Sequence, residues 1–138
     1  MIKKIAPGLW QSALAHVLPN WNSISADCHT IALMATLAEP LPGNVPLIYF
    51  PIDDNASGTD RLDTIRELAK MLANVPVLTV CHIGENRSGL LSALILVERG
   101  YKPAEAVALV QREGPHNSPT QAHSFWNPGF VRQVLELS

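Results

Sequence analysis

The stretch from Val75 to Arg99 limits the fold more than any other part of the chain. It reads VPVLTV, then Cys81, then the polar turn HIGENR, then a leucine-rich run from Ser88 to about Arg99. A short continuous apolar run of this kind is the pattern of a strand buried on both faces. The leucine-rich run is long enough for a helix, and Gly100 stops it. Strand, tight turn and helix in so few residues form a βα unit, and a chain built around one needs a central sheet covered by helices.

The remaining segments fit that plan. GLWQS (Gly8–Ser12) reads as a short strand, HVLPNWNSISADC (His16–Cys28) as a polar, irregular stretch with one helical turn, TIALMATL (Thr30–Leu37) as a second strand in preference to a buried helix, and PLIYF (Pro46–Phe50) as a third strand. PIDDNASGT follows as a loop. Thr59 or Asp60 is placed to cap a helix reaching about Ala73. Leu62, Ile65, Leu68, Ala69 and Leu72 share one face of that helix. Pro103 suits the first turn of a further helix closed by Gly114 and Pro115. Asn127 is an N-cap with Pro128 after it, opening a last helix. Strands alternating with helices predict an α/β fold, a mostly parallel central sheet of four to five strands flanked by helices. The 138 residues predict one domain over residues 1–138.

Charge narrows the partners. The formal net charge is −2, so no basic excess exists to hold nucleic acid or an anionic membrane. The apolar run GLLSALILV is too short to span a bilayer. The lysines near the N-terminus precede no apolar segment of the signal-peptide kind. The two cysteines, Cys28 and Cys81, are too few for a disulfide framework, and a reducing, cytoplasmic setting is expected.

The turn after Cys81 has the parts of an anion seat. In open α/β sheets ligands bind beyond the carboxyl ends of the strands. The start of the following helix offers unpaired N–H groups and partial positive charge to an oxyanion. Gly84 permits the backbone angles that turn loop N–H groups inward. Arg87 adds a planar, permanent charge that grips two oxygens. The same surroundings can lower a cysteine pKa from about 8.5 into roughly the 3.5–7.5 range. Cys81 is then expected as a thiolate inside a cradle for a phosphate-like dianion, suited to attack on phosphorus. Ser88 is placed to hydrogen-bond the sulfur and ease its departure.

Cys81 to Ser88 matches C-x-x-G-x-x-R-S, the signature of cysteine-based protein tyrosine phosphatases, and the chain resembles their small dual-specificity branch over most of its length. YFPIDD resembles the family's strand ending in P-x-x-D, with Asp54 lying 27 residues before Cys81. NPGFVRQVLEL (Asn127–Leu137) resembles the family's closing helix. The resemblance implies a protein tyrosine phosphatase-like fold and a cysteinyl-phosphate intermediate. It makes Cys81 the nucleophile, Arg87 the phosphate clamp, Ser88 the aid to thiolate departure and Asp54 the general acid, then base. Main-chain N–H groups of His82, Ile83, Gly84, Glu85, Asn86 and Arg87 would hold the phosphate oxygens. No cofactor and no metal is implied. The partner is a phosphorylated protein or a small phosphate ester. Within that chemistry three other readings stand: a non-protein phosphate as substrate, a catalytically weak phosphate-binding module, and a sulfurtransferase.

Some residues remain open on sequence alone. Asp53 neighbours Asp54 and competes with it for the acid's role. Val80 stands where the family has a histidine that helps position the loop and tune the thiol. The acidic Glu85 argues against a highly anionic substrate. A Cys28–Cys81 disulfide is not expected, because parallel strands place the two at opposite ends. The five histidines show no metal-ligand spacing. Trp10, Trp21 and Trp126 are expected in core or rim packing, and Arg112 in solvent.

Overall fold

A computed structural model of the chain describes residues 1–137. Five strands form one sheet: β1 (Lys3–Ala6), β2 (Leu9–Ala13), β3 (Thr30–Leu33), β4 (Leu47–Tyr49) and β5 (Val77–Cys81). Their order across the sheet is β1-β2-β5-β3-β4. β5 is central and runs parallel to both neighbours, and β3 runs parallel to β4. Only β1 is antiparallel, to β2. All five residues of β5 are buried, as its unbroken apolar pattern requires.

The helices are α1 (Trp21–Asp27), α2 (Leu62–Leu72), α3 (Arg87–Glu98), α4 (Pro103–Glu113) and α5 (Pro128–Leu135). α3 packs on β5 and is surrounded by α2, α4 and α5. Its residues from Ser88 to Leu96 are all buried, so it is apolar around most of its girth. α2 is amphipathic and buries Ile65, Leu68, Ala69 and Leu72. α5 begins as expected: Oδ1 of Asn127 accepts from the N–H groups of Gly129 at 3.0 Å and Phe130 at 3.1 Å. Among the described residues, no helix is long and apolar enough to cross a membrane.

Several segments differ from the sequence expectation. β1 was not foreseen; Lys3 and Lys4 mask an edge strand whose buried contribution is Ile5 and Ala6. The second expected strand ends at Leu33 rather than Leu37; Met34 still bonds across to Val80 at 2.8 Å and to Ile52 at 3.1 Å, and the buried Ala35 begins the turn that leaves the sheet. The polar segment His16–Cys28, expected to be irregular with one helical turn, contains the seven-residue α1. β4 is an edge strand, with Leu47 and Tyr49 exposed. α2 is capped at Arg61, not at Thr59 or Asp60, and no side chain closes its first turn. Thr59 acts one step earlier, its Oγ1 accepting from the N–H of Arg61 at 3.1 Å.

Candidate active site

The parallel register places Cys81 at the carboxyl end of the central strand, opposite Ala13 of β2. α3 starts six residues later, and two of its serines face β5. Ser92 and Thr79 share a buried hydroxyl–hydroxyl bond of 2.8 Å. One helical turn earlier, Oγ of Ser88 lies 3.2 Å from Sγ of Cys81. The N–H of Gly84 donates to the same sulfur at 3.3 Å. An N–H donor and a hydroxyl therefore converge on the sulfur of a residue that is only 1% exposed.

Gly84 takes φ of 83°, and a Cβ there would meet the backbone of Ser12 at 2.7 Å and that of Ala13. No other residue fits both the angle and the approach. The loop is tied to the sheet at this point, since Nε2 of the buried Gln11 donates to the carbonyl of Gly84 at 2.8 Å. On the exposed side, Nε2 of His82 donates to the carbonyl of Thr36 at 2.8 Å. Nδ2 of Asn117 donates to the carbonyl of Ile83 at 2.8 Å.

Glu85 is fully buried. Its carboxylate accepts from the N–H groups of Asn117 at 2.8 Å and Ser118 at 3.2 Å, from Nε1 of Trp126 at 3.1 Å, and from the hydroxyl of Ser118. The side chain thus pins the segment between α4 and α5 beneath the loop. The carboxylate faces these donors inside the protein rather than the solvent. Trp126 belongs to this anchor as well as to the packing.

Asp54 is exposed, yet both its oxygens are held. Nδ2 of Asn127 donates to Oδ1 at 2.7 Å and to the carbonyl of Asn55 at 2.9 Å. Nδ2 of Asn86 donates to Oδ2 at 3.2 Å. The whole segment after Ile52 leans on α5. Gln133 pairs with both backbone groups of Thr59, at 3.0 and 2.7 Å. Arg132 donates to the carbonyl of Ser57 at 3.1 Å, and Gly129 lets the Ala56–Gly58 backbone approach. Asp53 is exposed and lines the neighbouring cleft.

Nη1 of Arg87 donates to the carbonyl of Ile52 at 3.2 Å, joining the loop to the Asp54 segment. Its Nε is buried and has no protein partner. A cleft of about 790 Å³ opens beside it, lined by Thr36, Ile52, Asp53, Thr59, Arg61 and Arg87 among others. Arg61 stacks on Phe50 at 4.2 Å.

The fold brings Cys81, Asp54, Arg87 and Ser88 into one region with the loop from His82 to Asn86. Cys28 stays apart: Thr30 stands opposite Val77, so Cys28 lies near the start of the sheet and Cys81 at its far end. Burial, with Asp27 beside it, pushes the Cys28 thiol up to about 11. Arg112 is exposed and pairs with Glu113. Sequence reasoning missed Gln11, for which a lone glutamine within GLWQS was the available signal; Gln133 stands in the closing-helix motif NPGFVRQVLEL, but its bonds to Thr59 were not foreseen.

No family model matches the chain, and no curated protein matches it. Solved structures do. Human DUSP28 is 19% identical over 98% of this chain and 90% of its own, with a TM-score of 0.75. DUSP15 is 17% identical over 98% and 85%, with a TM-score of 0.73. The human tyrosine phosphatase-like serine/threonine/tyrosine-interacting protein is 19% identical over 98% and 93%, with a TM-score of 0.70. The chain therefore has the fold of the small dual-specificity phosphatases.

Proposed function

We propose that the chain is a phosphomonoester hydrolase working through a cysteinyl-phosphate, on phosphotyrosine and also phosphoserine or phosphothreonine in proteins. The observation that carries this reading is the sulfur of Cys81. It receives Gly84 N–H and Ser88 Oγ at 3.3 and 3.2 Å, in a loop closed by an arginine whose buried Nε lacks a protein partner.

The sulfur attacks as the thiolate, the reactive form of a cysteine. Loop N–H groups and the guanidinium of Arg87 take up the phosphoryl charge. The S–P bond forms as the P–O bond to the leaving group breaks. Asp54 gives its proton to the departing alkoxide or phenoxide. Water then attacks the phosphocysteine, Asp54 takes a proton back, and the sulfur departs with the Ser88 hydroxyl beside it. The substrate's charge is met by protein donors throughout, so the steps call for no metal. A reducing cytoplasm keeps such a thiol in its working form.

The test is hydrolysis of an aryl phosphate in chelator across pH 4.5–8, with wild type, Cys81→Ser, Asp54→Ala and Asp53→Ala side by side. The reading expects turnover that vanishes in Cys81→Ser and, in Asp54→Ala alone, loses the decline towards higher pH that marks a proton donor becoming ionised. If Asp53→Ala has that effect instead, the acid is its neighbour. Retained binding of tungstate or a phosphopeptide without turnover in any variant would mean a phosphate-binding module.

A further inference from the structure

We propose that Asn86 aims Asp54, so that the phosphate loop positions its own proton donor. The inference rests on the reading of Asp54 as the general acid. Asn86 is 2% exposed, and its amide has a forced orientation. Oδ1 accepts from the backbone N–H groups of Trp126 and Asn127, both at 2.9 Å. Nδ2 must therefore point the other way, where it meets Oδ2 of Asp54, a group that as a carboxylate can only accept.

Asp54 sits in an exposed segment, where a short acidic side chain would otherwise sample several rotamers. Two amides from outside that segment remove this freedom. Asn127 is fixed by capping α5, and it takes Oδ1. Asn86 takes Oδ2 and immediately precedes Arg87, so its position is locked to the phosphate seat. A carboxylate offers about four lone-pair sites, and these bonds use two. Room remains for the proton in transit, while the plane of the carboxyl group is set relative to the loop. Asn86 is thus a positioning residue, acting through Asp54.

The decisive readout is the ratio of kcat/KM on phenyl phosphate, a poor leaving group, to that on dinitrophenyl phosphate, a good one. Only the first needs a well-aimed acid. Asn86→Asp keeps an oxygen for Trp126 and Asn127 but cannot donate to the ionised Asp54. Asn86→Ala removes both functions. The ratio is internal to each preparation, so a partly unfolded variant still reports it.

The expected result is a fall in the ratio of about tenfold or more in both variants, in line with the cost of misplacing a catalytic group. In an Asp54→Asn background the same changes at Asn86 should leave the ratio where it is. Equal losses on both substrates, a total loss included, or full additivity with Asp54→Asn, would overturn the role of Asn86 alone. A ratio unaffected by Asp54→Asn itself would remove the acid assignment and this inference with it.

Discussion

The hydroxyl of Ser88 and the sulfur of Cys81 lie 3.2 Å apart, across a turn in which the chain reverses from strand to helix. Both are buried, and the Ser92–Thr79 bond one turn further along α3 holds the helix in the register that makes the contact. A hydroxyl in this place matters most when the sulfur regains negative charge. Ser88→Ala should therefore slow breakdown of the phosphocysteine more than its formation. Hydrogen bonds to charged groups contribute about 1.5–3 kcal/mol, so kcat should fall roughly 10- to 100-fold. KM should fall too, and a burst of leaving group should appear in rapid-mixing traces. Loss of kcat without a burst would place the effect on the first step.

Glu85 joins the loop after Cys81 to the α4–α5 segment from inside the protein. Glu85→Ala would leave the N–H groups of Asn117 and Ser118 and the indole of Trp126 without their acceptor. Unsatisfied buried donors cost about 1–3 kcal/mol each, and partial rehydration of the exposed segment offsets some of that. A net destabilisation of about 2–4 kcal/mol is expected from denaturant midpoints. Glu85→Gln should cost less, since its one carbonyl oxygen can still accept. A change below about 0.5 kcal/mol in Glu85→Ala would mean that the segment is held by other contacts.

Cys28 and Cys81 should be chemically distinct. Burial, then the charge of Asp27, raise the Cys28 thiol to about 11, so it stays protonated at neutral pH and resists alkylation. Peptide mapping after iodoacetamide at pH 7.5 should find Cys28 unmodified in the folded protein. The raised value also fixes a sign for stability. The folded state favours the neutral thiol, so this contribution is fully present below the ordinary value near 9 and is lost as pH climbs towards 11. Cys28→Ser should flatten the decline of stability in that window and leave stability unaltered in its pH dependence below it. Ready alkylation of Cys28 at pH 7.5 would contradict the placement of its thiol.

The βα unit around Cys81 was legible because its apolar run, its turn and its leucine-rich helix are all local signals. Asn127 was equally legible, since an asparagine before a proline is a local cap. Boundaries failed where burial and strand pairing part company: Ala35 is buried without extending β3. β1 escaped because two of its four residues are lysines. The anchoring role of Glu85 was missed for a different reason. Its position in the loop was clear, but the direction of its side chain depends on donors 32 and more residues away. The same holds for Asp54: its spacing from Pro51 could be read, whereas its amide partners lie 32 and 73 residues off and meet it only in the folded chain.

The central claim is that Cys81 carries the phosphoryl group during turnover. It is tested most directly by acid-quenching the protein during hydrolysis of an aryl phosphate and mapping the trapped phosphoryl group by peptide mass spectrometry. The account predicts one phosphoryl group, on Cys81, more abundant in Ser88→Ala and missing from Cys81→Ser. Turnover with no trapped phosphoryl group in Ser88→Ala, or with the group on another residue, would contradict it.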